Sequence, residues 1–108
     1  PNCLRVSDAG AHSFHLAAPE GIAEAGGVPT DATCKPDGMC YVLFRSYLES
    51  EGNRAAVVAL APDNAAKTLG VFAPPLALDN FEGLAVREAQ GKTFLYLISD
   101  DNFRNCET

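Results

Sequence analysis

The chain has 108 residues, enough for one domain, and its 26 Leu, Ile, Val and Phe residues place it above the composition typical of disorder. A formal charge of -6 with only 8 Lys and Arg argues against nucleic acid as a partner, because affinity for a phosphate backbone comes largely from clustered cations. No apolar run approaches the roughly 18 residues that span a bilayer, and 17 alanines with no Trp leave few large side chains to fill a core.

Short apolar runs separated by turn residues predict strands near 13–17, 30–34, 41–47, 55–61, 68–72, 83–87 and 93–99. No helical period is sustained for three turns, although Ala65 and Ala66 leave a helical turn open within 61–67. The separators are Gly26-Gly27-Val28-Pro29, Pro36-Asp37-Gly38, Glu51-Gly52-Asn53, Pro62-Asp63-Asn64, Pro74-Pro75 and Gln90-Gly91-Lys92. The fold class is all-β. Residues 55–61 and 94–98 are apolar without alternation, as expected of strands covered on both faces, so sheets must stack. Four-stranded antiparallel blades packed around a channel, the β-propeller arrangement, suit this rhythm. An internal echo points the same way: Pro29-Thr30-Asp31-Ala32 and Asn80-Phe81-Glu82-Gly83 each put an acidic residue near the start of a strand.

Cys3, Cys34, Cys40 and Cys106 include no C-x-x-C spacing, which argues against a zinc knuckle and for disulfides in an oxidising compartment, extracellular or periplasmic. Lys35-Pro36-Asp37-Gly38-Met39 is a turn that brings Cys34 and Cys40 together across a hairpin. Free buried thiols are the alternative. Cys3 with Cys106 is what remains if the hairpin bridge forms.

Residues 74–87, Pro74-Pro75-Leu76-Ala77-Leu78-Asp79-Asn80-Phe81-Glu82-Gly83-Leu84-Ala85-Val86-Arg87, are followed by Leu95-Tyr96-Leu97-Ile98-Ser99-Asp100-Asp101-Asn102-Phe103. Together they resemble the C-terminal signature of the family known as esterase-like activity of phytase. Upstream, Pro29-Thr30-Asp31-Ala32, Pro36-Asp37-Gly38 and the apolar strand ending at Arg45 resemble that family's preceding blade. The resemblance implies residues 1–108 as the C-terminal part of a phytase-like propeller, about one and a half blades of it. It departs from the pattern in its cysteines and in stopping after Asn105-Cys106-Glu107-Thr108, so the chain is read as processed or cut from a longer one. Unpaired edges and uncovered blade faces then require another polypeptide, either the rest of the propeller or a larger assembly.

The acidic cluster Asp79, Glu82, Asp100, Asp101 and Asn102 offers the oxygen ligands a hard cation such as Ca²⁺ needs, with Glu82, Asp100, Asp101 and Asn102 as the candidate set. An Asx-type turn at Asp100, Asp101 and Asn102 is the alternative reading. On a strand facing a central channel, Glu82 binds metal, serves as general base towards water, or pairs with Arg45 or Arg87. Asp31, at the corresponding place in the preceding blade, carries the same ambiguity.

The resemblance implies hydrolysis of a small phosphate ester, and a non-catalytic interaction or structural propeller is the alternative. The motifs Gly-x-Ser-x-Gly, His-Glu-x-x-His, Arg-His-Gly and a phosphate loop are absent. His12 and His15, three apart, fall on opposite faces of a strand and read as surface residues rather than a metal pair.

Overall fold

A computed structural model describes residues 2–7, 10–23, 27–48, 52–73 and 80–100, with the backbone alone described at 2, 7, 48, 80–82, 99 and 100. Eight strands follow in order: β1 (Asn2–Ser7), β2 (Gly10–His15), β3 (Val28–Cys34), β4 (Cys40–Leu48), β5 (Gly52–Leu60), β6 (Ala66–Phe72), β7 (Asn80–Ala89) and β8 (Lys92–Asp100). They form three antiparallel sheets, β1-β2, β3-β4-β5-β6 and β7-β8. Among the described residues these make one four-stranded blade with a two-stranded hairpin packed on either side.

Turn chemistry sets the hairpins of the complete blade. In the β3–β4 turn the Lys35 N–H donates to the Met39 carbonyl at 2.8 Å, and Gly38 takes the positive φ of 94° that closes it. The Asp37 side chain accepts the Met39 N–H at 2.9 Å, and the Cys34–Cys40 disulfide ties the strand ends together, as the turn sequence predicts. Residues 61–65 are a hairpin turn and not a helical one: the Asn64 N–H donates to Ala61 and the Ala61 N–H to Ala65, with Asn64 at φ 69°. Asn tolerates that left-handed conformation better than other side chains, and the Asp63 carboxylate accepts the Ala65 N–H at 3.0 Å.

Both faces of the two central strands, β4 and β5, are buried, while the outer strands β3 and β6 are largely exposed. One carries Cys40, Val42, Phe44, Ala56, Val58 and Leu60 against Leu16 and Ile22, with Cys3 and Phe14 of the β1-β2 hairpin packed beside them. The other carries Tyr41, Leu43, Ala55, Val57 and Ala59 against Leu84, Val86, Leu95 and Leu97 of the β7-β8 hairpin. Small residues on β5 let the sheets approach closely, which is how a sequence rich in Ala and without Trp still fills two cores. Alternation on β4 and β5 is hidden in the sequence because both faces are apolar.

Two expectations need correction. Residues 94–98 are covered on one face only: Leu95 and Leu97 pack on the second core, whereas Phe94, Tyr96 and Ile98 are 41%, 47% and 57% exposed. No sheet stacks on that side among the described residues, so a run apolar on both faces meets only one neighbour. The strand expected near 13–17 instead spans Gly10–His15 and pairs with β1, which composition did not foretell because Asn2, Arg5 and Ser7 break its apolar run.

Candidate functional site

The two first strands that face each other are β3 and β7. Asp31 accepts the Leu84 N–H on Oδ2 at 2.7 Å, and Lys35 Nζ meets Glu88 Oε1 at 2.9 Å; each contact spans 53 residues. The constant offset means that the two strands run side by side in the same direction. Gly38 and Gly91 both take positive φ in their hairpin turns. Each of the two strands also takes a β-bulge near its start, where the register slips between Pro29 and Asp31 and between Phe81 and Gly83. The bulged residue of β3 is Thr30, so the position equivalent to Glu82 is Thr30 and not Asp31, one residue away from the correspondence expected from the sequence.

The bulged residue of β7 is Glu82. Its strand pairs Asn80 with Asp100 and Phe81 with Ser99, so the backbones of Glu82 and Asp100 lie at the same end of the β7-β8 hairpin. Asp79, Asp101 and Asn102 lie outside the described residues, as does Cys106. Among the described residues no group of three or more His, Cys, Asp or Glu converges as a metal cluster.

Asp31 is engaged structurally: Oδ1 accepts the Ala32 N–H at 2.8 Å while Oδ2 holds Leu84. One carboxylate therefore ties the complete blade to the next hairpin. Lys35 adds a second tie to β7 through Glu88, and that hydrogen bond, reinforced by Asp37 at 3.5 Å, raises the Lys35 pKa above its ordinary value. Asp37 is shifted down, chiefly because its carboxylate accepts the Met39 backbone N–H, with Lys35 helping. Of the two arginines considered for Glu82, Arg87 lies over the Phe94 ring, 5.7 Å from its centroid, in a cation–π contact across the hairpin. Arg45 is half-buried within β4, opposite Val28 and Ala55. His12 and His15 are exposed on β2.

Arg5 was not anticipated from sequence. Its Nε donates to Asn64 Oδ1 at 2.7 Å, Nη2 to the Ala61 carbonyl at 3.0 Å, and Nη1 to the Gly38 carbonyl at 3.2 Å with Cys40 Sγ at 3.4 Å. The planar fork thus clamps β1 to both turns at one end of the complete blade. Nothing local in β1, which also holds Asn2 and Ser7, signalled this role. Beside Arg5 a largely apolar cavity of about 680 Å³ opens between β1 and the β3–β4 hairpin, lined by Cys3, Phe14, Pro29, Ala32 and Val42 among others. Cys3 has no disulfide partner among the described residues.

Stacked antiparallel sheets whose first strands lie side by side are the arrangement of a β-propeller, of which the described residues form a part. Within that class the chain belongs to the phytase-like family, described as esterase-like activity of phytase, whose model matches residues 5–103. No match was found to a curated protein or to a solved structure.

Proposed function

We propose that the chain supplies part of a phytase-like propeller that hydrolyses phosphate esters in an oxidising compartment, with Glu82, Asp100, Asp101 and Asn102 as oxygen ligands for Ca²⁺. The observation that carries this reading is the bulge at Glu82, which sets that residue apart from the ladder at the same hairpin end as Asp100. Bound by these residues, such a cation would neutralise phosphoryl oxygens and lower the pKa of a coordinated water. Asp100, Asp101 and Asn102 would hold it with Glu82 as a further ligand, or Glu82 would instead take the proton of the water that attacks phosphorus as the bond to the leaving alcohol breaks. Family membership supports the ester chemistry, and the Cys34–Cys40 disulfide is consistent with the compartment.

A non-catalytic scaffold is the second reading, favoured by one observation: the acidic residue of the preceding blade, Asp31, is fully used in tying β3 to β7. On either reading the open faces of the half-blades are covered by further polypeptide that completes the propeller. Release of phosphate from phytate by the whole assembly, with and without calcium, separates the readings. The hydrolase predicts activity lost on chelation and reduced 100-fold or more, on the order expected for a general base, by Glu82→Gln. Unchanged turnover in Glu82→Gln sinks the assignment, and an inert assembly stabilised by calcium selects the scaffold.

A further inference from the structure

Cys3, Cys34 and Cys40, far apart in sequence, meet at one place. Cys3 packs on the core that holds Cys40, and all three line the cavity of about 680 Å³ between β1 and the β3–β4 hairpin. Cys34 and Cys40 are bridged, and Cys3 is a half-buried thiol. A thiol and a disulfide on one cavity are the two reactants of thiol–disulfide exchange, which needs a thiolate within reach of a bridged sulfur and no further reagent.

The two bridged sulfurs are not equivalent. Cys34 is exposed, whereas Cys40 is buried. On β1, Cys3 and Arg5 are half-buried while Leu4 and Val6 between and beyond them are exposed, so the thiol and the guanidinium leave the strand on the same side. Arg5 Nη1 stands 3.4 Å from Cys40 Sγ. A guanidinium is always charged, so negative charge that develops on Cys40 Sγ meets a cation already in place. In exchange, the sulfur that leaves faster is the one whose thiolate is better stabilised, and the sulfur attacked is the accessible one. Cys34 is therefore placed for attack and Cys40 for departure.

We infer that Cys3 and the Cys34–Cys40 bridge form an intramolecular thiol–disulfide switch. The Cys3 thiolate attacks Cys34 Sγ, the Cys3–Cys34 bond forms as the Cys34–Cys40 bond breaks, and the electron pair of the broken bond stays on Cys40 Sγ beside Arg5. The proton that Cys3 gives up to solvent is returned to Cys40 from solvent. One thiol and one disulfide stand on each side of the step, so no oxidant or reductant is consumed. What changes is the pair of segments held together: a clip across the β3–β4 turn becomes a covalent tie between the β1-β2 hairpin and the first strand of the blade. The switch needs neither the hydrolytic reading nor the propeller one.

Peptide mapping tests this on the protein in its whole assembly, held in mildly alkaline buffer without reductant, alkylated with N-ethylmaleimide at intervals and quenched in acid. At the first time point the label should sit on Cys3, with Cys34 bridged to Cys40. Later, a growing fraction should carry the label on Cys40, with Cys3 bridged to Cys34. Cys3→Ser, which leaves the native bridge intact, should abolish label on Cys40. Arg5→Gln should lower the ratio of labelled Cys40 to labelled Cys34 by about tenfold, on the order of one lost charge-assisted hydrogen bond. A merely structural part for Arg5 changes the rate and leaves that ratio as it was, so an unchanged ratio overturns the role given to Arg5. Label that stays on Cys3 alone, label released on Cys34 in place of Cys40, or a Cys3 already bridged to Cys106 or to another cysteine overturns the switch.

Discussion

A single carboxylate, Asp31, joins two sheets by accepting one N–H from its own strand and one from β7. Charge-assisted bonds of this kind are roughly twice as strong as neutral ones. Asp31→Ala leaves the Leu84 N–H without its acceptor and should cost about 1–3 kcal/mol in urea unfolding. Asp31→Asn, which keeps one acceptor oxygen, should cost less. Equal midpoints for Asp31→Ala and wild type would show that β7 is held by its apolar contacts alone. Arg5→Lys replaces a planar fork with a point charge, and loss of the Asn64 and Ala61 bonds should loosen the β1-β2 hairpin, visible as faster amide exchange at residues 2–7 and 10–15.

The Lys35–Asp37–Glu88 group makes stability depend on pH at both ends of the scale. Lys35 is raised in the folded state, mainly by its hydrogen bond to Glu88, so its contribution is complete below the ordinary lysine value of 10.5 and is lost as pH rises through the folded value. Asp37 is lowered from 3.8 by the Met39 N–H, so its contribution is present above that value and fades as pH falls through the folded one. Denaturant midpoints should therefore be highest between these limits, and Lys35→Met should flatten the alkaline limb. Because Asp37 and Glu88 are 59% and 57% exposed, both effects should shrink in salt.

At the scale of elements, the β3–β4 hairpin is the best-specified piece. Its bridge joins residues six apart in sequence, and closing so short a loop stabilises by about 2 kcal/mol on the chain-entropy account. The Cys34→Ala/Cys40→Ala pair should lose about that much while keeping β3 against β4. A larger loss would mean that the Arg5 clamp, which touches Gly38 and Cys40, depends on the bridge. This element was legible because turn residues and cysteine spacing are local: Pro36, Asp37 and Gly38 act on their own backbone. β1 was not legible, since nothing within six residues containing Asn2, Arg5 and Ser7 marks a strand until β2 pairs with it. The bulge at Glu82 was equally hidden. An acidic residue near a strand start was readable, but its removal from the ladder follows from the pairing of β7 with β8.

Across the whole molecule, the complete blade is a slab with a core on each side, and its stability rests on both flanking hairpins. Phe44, fully buried in the first core, should cost about 3–5 kcal/mol on truncation to Ala. Its loss should melt the contact with Leu16 and Ile22 before the second core. The all-β class, the four-stranded rhythm, the hairpin bridge and the family were available from the amino acids alone, because apolar runs, turn formers and motif order act over short stretches of chain. Only the tertiary structure decided which face of β8 is covered, that Asp31 ties β3 to β7, and that Arg5 is a clamp. Each of these depends on which distant strands lie side by side, and that choice is made by packing two apolar faces against neighbours, not by any residue's own preference.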